Sequence, residues 1–130
     1  NTESVFLAMD LVPSLIRLAG GKESDDDRFD GEDVLDTLLG KEQQSRSTPL
    51  FFSRPPDRKS FYGFENLPDL AVRDGRWKLL CDFDGSRGHL YDLSKDPGET
   101  KNLIEDHPEQ SAKLTSAVTA WYAGVLDSNR

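Results

Sequence analysis

Ala71-Val72-Arg73-Asp74-Gly75-Arg76-Trp77-Lys78-Leu79-Leu80-Cys81-Asp82-Phe83 is the stretch on which the fold turns. Trp77, Leu79, Cys81 and Phe83 alternate with Lys78, Leu80 and Asp82. A period of two is that of a strand with one face buried, because successive side chains leave a pleated backbone on opposite sides. Asp74-Gly75 just upstream is a hairpin signal. A type I′ turn needs positive φ at both central positions, and Asp-Gly tolerates it. Residues 70–73 are therefore expected as the antiparallel partner of residues 76–83.

Outward from this hairpin the same period continues. Residues 49–53 read as a first strand. Residues 84–88 read as a turn, and residues 89–93 as a fourth strand. Asp96-Pro97-Gly98-Glu99 is a further turn, in which Pro97 presets φ and Gly98 takes the unusual conformation. Pro108 then opens a helix whose apolar stripe is Leu114, Val118, Trp121, Tyr122 and Val125. That stripe is the expected cover for the apolar face of the sheet.

Toward the N-terminus the period becomes helical. Residues 5–9 are a short apolar run, a strand or buried connector. Asp10 reads as an N-cap, since its carboxylate can accept free amides of the next turn. Pro13 suits that first turn. Leu11, Leu15 and Leu18 share a helical face, with Ile16 and Ala19 beside it, and Gly20-Gly21 ends the helix. Residues 22–33 carry seven acids against Lys22 and Arg28, and read as a solvated loop. A second helix is expected over residues 32–39, stopped by Gly40, and residues 41–47 read as a polar linker. The expected fold class is α+β: a small four-stranded antiparallel sheet covered by a C-terminal helix and preceded by helices. The expected division falls between residues 1–47 and 48–130.

With 130 residues the chain suits a modest core. A net charge of -8 gives no basic face of the kind that displaces counterions from phosphates, so no nucleic-acid partner is expected. No apolar run approaches the roughly 18 residues of a membrane span. Cys81, the only cysteine, has no partner for an internal disulfide.

Four landmarks, in order, resemble the end of a type I sulfatase of the alkaline phosphatase superfamily. Asp10-Leu11-Val12-Pro13-Ser14-Leu15-Ile16-Arg17-Leu18-Ala19-Gly20 resembles that family's Asp, two residues, Pro-Thr-Leu, then Leu-Ala-Gly. Asp30-Gly31 followed by Leu38-Leu39-Gly40 resembles the next. Ala71 to Leu79 resembles Ala-Val-Arg-x-Gly-x-Trp-Lys-Leu. Leu90-Tyr91-Asp92-Leu93, Asp96-Pro97-Gly98-Glu99 and Asn102-Leu103 resemble the closing signature. Ser14 stands where Thr is common, and His89 where Glu often precedes Leu-Tyr. The stretch 53–66 lacks an aromatic–acid–His pattern many relatives carry.

The resemblance implies that residues 1–47 are the tail and linker of a large α/β domain, and that the rest of that domain is a partner encoded upstream. It implies hydrolysis of sulfate esters by a formylglycine made from Cys or Ser in a Cys/Ser-x-Pro-x-Arg motif. A divalent metal, usually calcium, and cationic side chains would meet the charge on the sulfate oxygens. No such motif occurs in this chain, so no catalytic or metal residue is expected in it, and no cofactor of its own. A sulfated small molecule or glycan would be the substrate of the whole protein. A periplasmic or secreted location is also implied by the resemblance.

The candidate substrate-binding residues are Arg54, Arg58, Lys59 and Tyr62, in the long connection between the first two strands. Arg and Lys suit a sulfate or carboxylate, and an aromatic ring suits a sugar face. Competing readings are a non-catalytic module for sulfated glycan or protein, and a phosphoesterase of the same superfamily. Asp25-Asp26-Asp27 lacks the spacing of a calcium loop. His89 and His107 stand apart from other ligand types, Trp77 and Trp121 read as core, and Cys81 as a small buried apolar residue.

Overall fold

The structure, a computed structural model, describes residues 4–22, 29–43, 46–54 and 67–128. The chain divides into two compact units, Asn1–Thr48 and Pro49–Arg130. The first holds α1 (Leu11–Leu18) and α2 (Leu35–Leu38). The second holds β1 (Leu50–Ser53), β2 (Leu70–Asp74), β3 (Trp77–Cys81), β4 (His89–Asp92) and α3 (Pro108–Ser128).

In the second unit the four strands form one antiparallel meander in sequence order. Pairing of Val72 with Leu79, of Leu70 with Cys81 and of Leu79 with Leu90 places these side chains on one face. Leu114 and Val118 of α3 cover that face, and all seven residues are buried. Each buried aliphatic side chain stabilises the unit by roughly 1.5–3 kcal/mol relative to exposure. Phe51 stacks on Trp121 at 5.4 Å and Phe83 on Tyr122 at 4.8 Å, which closes the two ends of the helix–sheet interface. The α+β class and the alternation along residues 77–81 are as the residue pattern implies, while β3 ends at Cys81 and Phe83 lies in the following turn.

Two turns differ from their sequence reading. Asp74 still pairs with Trp77, so the hairpin loop is Gly75-Arg76. Gly75 has φ +56 and Arg76 is not in the left-handed region, the pattern of a turn with glycine at its first central position. Asp74 stays in the strand, where its carboxylate meets Lys113 Nζ at 3.2 Å. In the other turn the positive φ falls on Glu99 (φ 55), not Gly98. The Asp96 carboxylate accepts the amides of Thr100 and Lys101 at 2.7 and 2.9 Å, and Glu99 meets Lys78 Nζ at 2.6 Å. These contacts hold a non-glycine residue in a conformation that otherwise disfavours it.

In the first unit the run 5–9 is no strand. Residues 4–7 have no regular structure, and Ala8–Asp10 form a 3₁₀ turn leading into α1. Asp10 is no helix cap either: its carboxylate makes no bond to the amides of α1 and is turned to partners elsewhere in the unit. Gly20 (φ +78) ends α1. α2 is a single turn, shorter than expected. The amide of Glu32 donates to Asp10 Oδ1, that of Val34 to Ser14 Oγ and that of Leu35 to Asp33 Oδ1. Val34, at φ -116 and ψ 25, lies outside the helical region, so the helix starts only at Leu35. Gly31 passes so close to the Met9 carbonyl that a Cβ there would lie 2.0 Å from its oxygen, so only glycine fits.

Candidate functional site

Arg54 follows β1 directly. Its amide donates to the Asp69 carbonyl at 2.7 Å. Its Nη2 donates to the Leu67 carbonyl at 3.1 Å and to Asp69 Oδ1 at 3.0 Å. Arg54 and Asp69 thus close the neck of the connection between β1 and β2, and the Asp69 amide itself donates a hydrogen bond to the Cys81 carbonyl at 3.0 Å. A charge-assisted bond at that neck gives the connection a fixed base on the sheet. Arg58, Lys59 and Tyr62 lie outside the described residues, as do Asp25, Asp26 and Asp27. Of the four candidate residues, the structure therefore places Arg54 alone.

A second constellation was not legible as a site. The Asp10 carboxylate accepts from the Leu7 amide (2.7 Å), the Glu32 amide (2.8 Å) and the Arg46 guanidinium. Arg46 also donates to the Asp30 carbonyl and to Thr48 Oγ1. Glu32 in turn accepts the amides of Ser47 and Thr48 at 2.8 and 2.9 Å and both of their hydroxyls. Burial would push the Glu32 carboxyl up, yet the donors from Thr48 and Ser47 outweigh it and hold it down at about 2. Asp10 and Arg46 are almost fully removed from solvent. Their chemistry is that of a lock: every charge has a counter-charge within the same unit.

An open depression of about 640 Å³ lies where α3 begins, lined by residues that include Trp77, His107 and Lys113. The Trp77 ring packs against the core, carries the Arg76 guanidinium at 4.9 Å and meets His107 edge-on at 4.9 Å. Those contacts occupy the ring as a packing element rather than a sugar platform. His89 Nδ1 lies 3.4 Å from both Tyr91 Oη and Asn102 Nδ2, on β4. Cys81 is buried within the sheet, and burial pushes its thiol up to about 11, aided by nearby Asp82.

Comparison with known proteins gives the family. No family model matches the chain. It is 37% identical over 98 residues to a delta 4,5-hexuronate-2-O-sulfatase of Bacteroides thetaiotaomicron, covering 75% of this chain and 19% of that protein. It is 30% identical over 138 aligned positions to arylsulfatase A of Bos taurus, covering 90% of this chain and 26% of that protein. The chain is a C-terminal sulfatase region. A solved structure from the metabolism of multiple glycosaminoglycans by Bacteroides thetaiotaomicron superposes with a TM-score of 0.61 at 26% identity, over 85% of this chain and 24% of that one. This sulfatase region thus spans about a fifth to a quarter of the relatives it matches. Among its described residues no group of three or more His, Cys, Asp or Glu side chains gathers to hold a metal ion. Cys81, with a raised thiol and no Pro or Arg at the motif positions, has none of the features of a formylglycine precursor. The described residues therefore fit neither the metal nor the modified nucleophile. No helix among them is long and apolar enough to cross a membrane.

Proposed function

We propose that this region serves a sulfuric ester hydrolase whose formylglycine and divalent metal, calcium by resemblance, reside in the preceding part of the polypeptide. In this reading it is not catalytic alone. Residues 1–47 belong to the tail of the catalytic domain. Residues 48–130 form a subdomain that stabilises the fold and selects substrate through the connection at residues 53–66. The observation that carries the selecting role is the Arg54–Asp69 neck, which gives that connection a fixed base. From such a base Arg58 and Lys59 supply cations and Tyr62 a ring face, a set suited to a sulfated or carboxylated sugar. The relative named for hexuronate-2-O-sulfate supports a sulfated glycan as the substrate class.

Two measurements test the proposal. The full-length gene must encode a Cys/Ser-x-Pro-x-Arg motif upstream; a Ser or Thr nucleophile with two-metal ligands there would make the protein a phosphoesterase instead. In the full-length enzyme, Arg58→Ala with Lys59→Ala is expected to raise KM for a sulfated oligosaccharide about tenfold or more with kcat nearly kept, the signature of lost ground-state binding. An unchanged KM removes the selecting role. A binding module without an enzyme is the second reading, favoured by the same basic and aromatic residues. Tight binding of a sulfated oligosaccharide by the 130-residue chain, abolished in the Arg58/Lys59 variant, together with no upstream nucleophile motif, would establish it.

A further inference from the structure

Several carboxylates among the described residues gather donors, and Glu32 differs from the others in where its donors come from. Asp92 accepts from Ser94, and Asp96 from Thr100 and Lys101, all within five residues, as in local turns. The donors to Glu32 lie 15 and 16 positions away, on the segment that leads to β1. Its Oε2 accepts the amide and the hydroxyl of Ser47 at 2.8 and 2.9 Å. Its Oε1 accepts the amide of Thr48 at 2.9 Å and the Thr48 hydroxyl. Arg46 Nη2 stands 3.6 Å from Oε1, on a side chain only 4% exposed. Two donors on each oxygen, with a guanidinium behind them, are the parts of an anion receptor. Burial opposes charge on Glu32, yet these donors hold its carboxyl at about 2, so the receptor favours the anion over the neutral acid. The receptor also reaches solvent: the Glu32 side chain is 26% exposed, and Glu32 and Ser47 line a depression of about 280 Å³.

We infer that residues 46–48 form a carboxylate-binding site, which the chain fills with its own Glu32 and which takes a free carboxylate once that side chain is removed. The ligand class follows from the oxygens. A carboxylate places both of its oxygens on these donors, whereas a sulfate carries two more, on the side from which the Glu32 chain enters. Site and ligand come from separate stretches of sequence, so removing the ligand leaves both amides and both hydroxyls on their own segment. Arg46 orients that segment independently of Glu32, through the Asp10 carboxylate, the Asp30 carbonyl and Thr48 Oγ1. In the native chain the bound side chain is a latch that fastens the lead into β1 to the stretch before α2. Tethering gives it an effective concentration far above that of a free anion, so external carboxylates compete with it poorly. The inference stands apart from the sulfatase reading and does not depend on it.

Chemical rescue of Glu32→Ala in the 130-residue chain tests this. The substitution removes one methylene and the carboxylate, which are the atoms that acetate returns. Exchange of the Ser47 and Thr48 amides, followed by NMR at pH 6, should be faster in Glu32→Ala than in the unsubstituted chain. Sodium acetate should slow it again and saturate, by about tenfold at roughly ten dissociation constants of ligand. Sodium chloride at equal ionic strength should not slow it, sodium sulfate should do so less than acetate, and the unsubstituted chain should respond to none of the three. Adding Ser47→Ala and Thr48→Val to Glu32→Ala should abolish the acetate effect. Where Glu32→Ala fails to fold in chloride, the readout is refolding by circular dichroism: recovery in acetate alone supports the site, and no recovery overturns it. An acetate effect no larger than that of chloride overturns the inference, as does one that persists without the two hydroxyls. Sulfate acting as well as acetate overturns the assignment of a carboxylate site.

Discussion

Arg46 pairs with Asp10 across 36 positions of sequence, with both side chains enclosed in the first unit. The pair joins the segment entering α1 to the segment leading into β1, and Glu32 joins them through Ser47 and Thr48. The polar stretch around residue 47 is therefore no loose linker: it is bound to the first unit up to Thr48.

Removing Arg46 leaves Asp10 buried without its counter-charge. Arg46→Ala is expected to destabilise the first unit by about 3–5 kcal/mol, the usual effect of breaking one partner from a buried ion pair. Native-state amide exchange checks this. Protection should drop over residues 7–18 and persist in β3, which belongs to the second unit.

Acid should loosen the same lock at Glu32. Its folded value of about 2 lies below the ordinary 4.5, so the carboxylate form stabilises the fold. That contribution is complete above about pH 4.5 and is lost as pH falls toward 2. The amides of Ser47 and Thr48 should exchange faster, after correction for intrinsic rates, at pH 3 than at pH 6. Glu32→Gln should flatten the difference, and a carbon-13 titration should place the Glu32 midpoint near 2.

Cys81 should behave as a core residue. A buried thiol pushed up to about 11 holds almost no thiolate at neutral pH. It should resist iodoacetamide at pH 8 until denaturant is added. Cys81→Ser is expected to cost about 1–3 kcal/mol of stability in urea melts, because a hydroxyl there meets an apolar interior.

Glu99 sets a backbone effect against a charge effect. Its φ of 55 disfavours any residue with a Cβ, while its carboxylate holds Lys78. Both Glu99→Ala and Glu99→Gly lose the ion pair, but only glycine relieves the backbone. The glycine variant should therefore be the more stable of the two by about 1 kcal/mol in thermal melts.

Much of the second unit was legible in the residues. Alternation along Trp77, Leu79 and Cys81 names the buried face, and the stripe at Leu114 and Val118 names its cover. The candidate site was less so. Arg54 stands out in the sequence by its charge, but its bonds to Leu67 and Asp69 depend on β1 and β2 standing side by side. The place of Asp74 in the strand rather than the turn, and of the positive φ on Glu99 rather than Gly98, also escaped local rules. In both turns, contacts with Lys113 and Lys78 from other elements chose among turns of similar energy.

By itself the sequence determined the meander and its helix, because each strand pairs with its neighbour along the chain and a period of two encodes the face that is buried. Only the tertiary structure decided the role of Asp10. Its partners are Leu7, three residues before it, and Glu32 and Arg46, 22 and 36 residues beyond it, whereas its place in the sequence points only to the amides of α1. The same holds for Leu11, Leu15 and Leu18. An apolar stripe specifies that a helix has a face to cover, whereas whether anything in the chain covers it depends on where the rest of the unit sends its side chains.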